Sequence, residues 1–103
     1  MAARYLLITS SLRYWTSNAL RNGSYVDGGI FVMNLLYALH FNKIAACTLN
    51  MYLDVEDSKK MYKELEIPED EVPIALLAVG YPSETFDLAQ STRKNYDEVV
   101  FVH

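Results

Sequence analysis

Apolar and polar positions along the chain fall into blocks of different period, and each block predicts an element. The run "ARYLLITS" (Ala3 to Ser10) is short, apolar and rich in strand formers, so it predicts a buried strand. A polar-aromatic connection, "SLRYWTSNALRNGS", follows and carries the breaker pair Asn22-Gly23. Ser24 with Asp27 three residues on has the form of a capping box, with Asp in place of Glu or Gln. The helix it opens runs to about His40 and is apolar on nearly every face, which predicts a central rather than a superficial place. "IAACT" (Ile44 to Thr48) reads as a short strand leaving that helix.

The pattern then changes to an amphipathic one. Asp54 can cap a second helix from Val55 to about Glu66, with Val55, Met61, Tyr62 and Leu65 on one face. Its other face carries Glu56, Lys59, Lys60, Lys63 and Glu64, including a Glu56–Lys60 pair at the favourable spacing, and Pro68 stops it. "VPIALLAVG" (Val72 to Gly80) is a second continuous apolar strand, closed by Gly80 and Pro82. A polar segment from Ser83 to Asn95 leads to an expected final strand, "DEVVFV" (Asp97 to Val102). This order of elements indicates an α/β fold in the form of an α+β sandwich.

Composition narrows the class. The 103 residues suffice for one small domain and one core, and a hydrophobic share of 51% argues against disorder. A net charge of −4 without a basic patch makes nucleic acid a poor partner. One Cys excludes an internal disulfide and fits a reducing compartment. The apolar run from Gly28 to Phe41 is interrupted by Asn34 and His40 and is too short to span a bilayer, and the N-terminal apolar run is too short for a signal-peptide core. A cytoplasmic protein without membrane contact is the expectation.

Candidate chemistry is sparse. His40, Cys47 and His103 match no zinc spacing, and Cys47, between Ala45, Ala46 and Leu49, is expected to be an inert core thiol. "PEDE" (Pro68 to Glu71) reads as a solvated loop. Gly28 and Gly29 together in a helix cost about 1 kcal/mol each relative to Ala. They point either to close approach by a backbone or flat ligand, or to helix packing. "STRK" (Ser91 to Lys94) is either a solvated tail or a phosphate grip through the fork of Arg93. Tyr14 and Trp15 could stack on a ring or pack at an interface.

Taken in order, "YVDGGIFVMNLLYALH", "IAACTLN", "LEIPEDEVPIALLAVGYPSE" and "STRKNYDEVVFVH" resemble the FMN-dependent nitroreductases. The resemblance covers about Ser24 to the C-terminus, and the first strand also fits. It implies a nitroreductase-like fold with a central sheet, a buried helix and a C-terminal strand extending to a partner subunit in a homodimer. It further implies that the small residues of "IAACTLN" let backbone approach the edge of a flavin ring. Cys47, Thr48, Leu49 and Asn50 would then form the ring contacts, and Arg93, helped by Lys94, would grip the FMN phosphate. NAD(P)H would deliver hydride to the flavin for reduction of a nitro compound, quinone or similar acceptor, with no catalytic side chain required.

The pattern departs from the family in two ways. The Arg-x-Ser-x-Arg type motif of its N-terminal helices is missing, so the resemblance is to the C-terminal half of the fold. Thr48 stands where a proline is usual. The alternative expectation is a truncated, non-catalytic nitroreductase remnant or dimerisation module that holds no flavin.

Overall fold

The computed structural model describes residues 4–103; Ala3, the first residue of the expected N-terminal strand, lies outside them. Three strands, β1 (Arg4–Ser11), β2 (Ala45–Leu49) and β3 (Glu71–Gly80), form one sheet in the order β1-β3-β2, with β3 antiparallel to both neighbours. The continuous apolar run of β3 follows from this central place: it meets a strand on each side and Leu77 is wholly buried.

β1 pairs with β3 through Leu6 opposite Leu77 and Ile8 opposite Ala75, then skips to Thr9 opposite Pro73. Ile74 is therefore an unpaired bulge residue. Pro73 beside it has no N–H to offer a ladder, which is why a proline is tolerated within this strand.

Helix α1 (Gly23–Phe41) covers the sheet face that bears Ile8, Ala75 and Leu77. Its buried residues, Ser24, Gly28 and Val32, recur every four positions and so form one line on the helix. Leu35, Leu36 and Leu39 continue the contact. Small residues at the start of the line bring the helix close to the sheet: a Cβ on Gly28 would lie 2.5 Å from Cγ1 of Ile74, the bulge residue. Gly28 is therefore a packing glycine. A Cβ on Gly29 would meet nothing within 4 Å.

Several expectations are corrected. Ser24 does not cap α1; Asn22 precedes the helix without a side-chain cap bond, and Ser24 is buried with its Oγ unpartnered among the described residues. The sheet is a single layer and covers only one side of α1. Tyr25, Val26, Ile30, Phe31, Met33 and Tyr37 are consequently exposed, and the helix is not central within this chain.

Helix α2 (Val55–Glu64) is capped as expected, with the Asp54 carboxylate accepting from the Asp57 N–H at 2.8 Å. Only Met61 and Tyr62 of its expected apolar face are half-buried; Val55 and Leu65 are exposed. The Glu56–Lys60 pair is replaced by Glu56 with Lys59, 3.6 Å apart.

The expected final strand does not form. The Asn95 N–H donates to Glu98 Oε2 at 2.8 Å, the carboxylate half of a capping box, at the start of a one-turn helix, α3 (Tyr96–Val99), and residues 100–103 follow without regular structure. Asn95-x-x-Glu98 is itself a capping signature in the sequence, and its local hydrogen bonds outweigh the β-propensity of the valines that follow.

Candidate functional site

The residues singled out by "IAACTLN" lie on β2, an edge strand of the sheet. One backbone edge pairs with β3, from Ala45 opposite Gly80 to Leu49 opposite Leu76. Among the described residues the other edge has no strand beside it, so its N–H and C=O groups take part in no ladder there. Alternation places Thr48 on the same sheet face as Leu77, toward α1. Cys47 and Leu49 lie on the opposite face, with Ala78 and Leu76.

The Cys47 thiol is exposed, which corrects the expectation of a buried core cysteine. Its only hydrogen bond among the described residues is weak, 3.8 Å to the Thr48 carbonyl. The reason is positional: β2 is an edge strand, and Cys47 lies on the face opposite the one toward α1. Asn50 follows the strand, exposed, at the start of a stretch without regular structure that runs to Asp54.

Arg93 and Lys94 lie in the exposed segment between β3 and α3. Arg93 donates to the Ser91 Oγ at 2.5 Å, and among the described residues neither side chain is engaged by a carboxylate. No hydrogen bond among the described residues joins them to Cys47–Asn50. Three of the six expected site residues thus lie on β2 and Asn50 directly after it, while Arg93 and Lys94 belong to a separate, exposed segment of the chain.

Polar contacts tie the start of β3 to its neighbours. Arg13 Nε donates to Asp70 at 2.5 Å, and the Leu12 N–H donates to the Asp70 carbonyl at 2.6 Å, extending the β1–β3 pairing. The Tyr62 hydroxyl donates to the Glu71 carbonyl at 2.6 Å and anchors α2 to the start of β3. Burial raises the Tyr62 phenol above its ordinary value of 10.0, and the negative charges of Tyr25 and Glu71 push in the same direction. In the sequence Tyr62 belongs only to an apolar helix face, because nothing local announces a bond to Glu71.

Tyr14 and Trp15 border a cavity of about 460 Å³ with Ile8, Asp27 and Phe31. The Trp15 ring lies so close to Gly23 that a Cβ there would overlap it, so packing fixes this side chain. No helix among the described residues is long and apolar enough to cross a membrane.

Neither a family model nor a curated protein matches the chain. Its fold is similar to that of a solved structure, the nitroreductase family protein from Streptococcus pneumoniae TIGR4, at 27% identity and a TM-score of 0.67. The likeness covers 84% of this chain and 41% of that one, so the chain spans about two-fifths of the length of that relative. The mixed α/β architecture, with its antiparallel sheet and long helix, is thus nitroreductase-like.

Proposed function

We propose that this chain belongs to an FMN-dependent oxidoreductase of the nitroreductase type and contributes the part of the fold that meets the flavin ring. The likeness to a nitroreductase family structure carries this reading. The free edge of β2 supports it, because small residues there leave backbone donors and acceptors approachable by a planar heterocycle. Cys47, Thr48, Leu49 and Asn50 would hold the ring, and Arg93 with Lys94 would hold the phosphate. Arg93 is suited to the task because its only partner among the described residues is a neutral hydroxyl. Bound FMN would supply hydride chemistry between NAD(P)H and a nitro compound, quinone or similar acceptor, and the chain would position it.

The protein works as a homodimer in this reading. The exposed side of α1 is a contiguous apolar surface on which Val26 and Ile30 are about 60% exposed, at 62% and 60%, and a second copy is the covering partner. Substitution Arg93→Ala tests the cofactor assignment by equilibrium dialysis. FMN affinity should fall at least tenfold through loss of a charge-assisted contact; unchanged affinity removes Arg93 from the site. Sedimentation should show a dimer at micromolar concentration, and a monomer would refute the dimer.

A further inference from the structure

A cavity of about 900 Å³ lies between the C-terminal end of α1, the start of β2 at Ala45 and Ala46, and the segment after β3. Its walls are apolar, with Leu36, Phe41, Ile44 and Phe86 among them, and its volume is within the range of about 300–1,000 Å³ usual for small-molecule sites. Two charged or titratable side chains line it, His40 and Lys43, and both are basic. Among the described residues no carboxylate lines it, although the chain as a whole carries a net charge of −4. Among the described residues neither basic side chain has a salt-bridge partner.

The backbone at Lys43 adds an independent observation. α1 ends in a Schellman motif: the Lys43 N–H donates to the His40 carbonyl and the Ile44 N–H to the Leu39 carbonyl, each at 2.9 Å. The residue after the cap must then be left-handed, and Lys43 has φ 60°. Glycine is the usual occupant, and a lysine there is strained. Glu66, the residue after the C-cap of α2, has the same conformation at φ 53°, so the left-handed residue belongs to the way these helices end; at α1 it sets Lys43 in the wall of the cavity. The carbonyls at this helix end are already occupied, with Asn42 Nδ2 also donating to the Ala38 carbonyl at 2.8 Å. Their partial negative charge therefore opposes an incoming anion less than that of a bare helix end would.

We propose that this cavity binds an amphiphile with one acidic head group, the apolar body lying along Leu36, Ile44 and Phe86 and the head group paired with Lys43 and His40. An alkyl carboxylate has this chemistry. The head-group pair, Lys43 and His40, is not among the residues assigned to FMN, although the cavity shares Ala45 and Ala46 of β2 with the proposed flavin edge.

Calorimetric titration with decanoate, and with 1-decanol as its neutral counterpart, tests it on the purified chain without flavin. Decanoate should bind saturably, one per chain, at least tenfold more tightly than decanol. Lys43→Gly relieves the left-handed strain, so the variant should melt at a higher temperature while binding decanoate at least tenfold more weakly and decanol unchanged. Because the variant is the more stable one, lost binding cannot be ascribed to misfolding. Equal affinity for decanol and decanoate, absence of saturable binding, or full decanoate affinity in Lys43→Gly would each overturn the proposal. A lower melting temperature for Lys43→Gly would overturn its strain premise.

Discussion

Gly28→Ala perturbs the closest contact between α1 and the sheet. On propensity alone, the substitution should stabilise a helix interior by about 1 kcal/mol. Here the added Cβ would stand 2.5 Å from Cγ1 of Ile74 and 2.9 Å from both Cδ1 and Cγ2. The nearest contact is about 0.9 Å short of an ordinary 3.4 Å separation. Ile74 has little room to yield, because it is β-branched and sits in a bulge fixed by Pro73 on one side and the Ile8–Ala75 pair on the other. Overpacking of this kind costs about 1–3 kcal/mol. The steric term therefore exceeds the propensity gain, leaving a net loss of about 1 kcal/mol, or roughly 4–8 °C in melting temperature for a domain of this size.

Ile74→Ala removes all three clashing atoms, so in that background Gly28→Ala should stabilise instead. Thermal unfolding of the four proteins, followed by circular dichroism, reads the coupling directly. If Gly28→Ala stabilises the protein with Ile74 in place, the close helix–strand packing is wrong.

Three further outcomes follow from single side chains. Ser24→Ala should raise stability by on the order of 1 kcal/mol, because it removes a fully buried hydroxyl without a partner among the described residues; a loss on denaturant titration would mean that the hydroxyl is bonded. The Tyr62 phenol has a raised value in the folded state, so its contribution is fully present below the unfolded value near 10 and is lost as pH rises through the folded one. Tyr62→Phe should lose about 0.5–1.5 kcal/mol at neutral pH and flatten the alkaline decline in melting temperature, and an unaltered alkaline slope would contradict the assignment. The exposed Cys47 should react with a disulfide reagent in the native protein, one thiol per chain, and FMN should slow that reaction if β2 is the flavin edge.

The sequence was legible wherever one local pattern dominated. β1, α1, β2, α2 and β3 all lie within two residues of their expected bounds because apolar runs, Asp54 and Pro68 delimit them. Burial was less legible, since it depends on layers rather than runs. The apolar helix α1 reads as central, yet a three-stranded sheet covers one side of it. Cys47 reads as core, yet its strand lies at an edge and the thiol on the face opposite the one toward α1. At the C-terminus two local signals compete, and the Asn95–Glu98 capping box prevails over "VVFV". The resemblance placed Cys47 to Asn50 on one strand edge and its end, but the relation of that edge to Arg93 depends on a segment whose course no local pattern encodes.

Flavin retention is the most direct test. The purified chain, loaded with FMN and freed of excess by gel filtration, is expected to keep a flavin absorbance spectrum that Arg93→Ala diminishes. A colourless wild-type protein would contradict flavin binding by this chain.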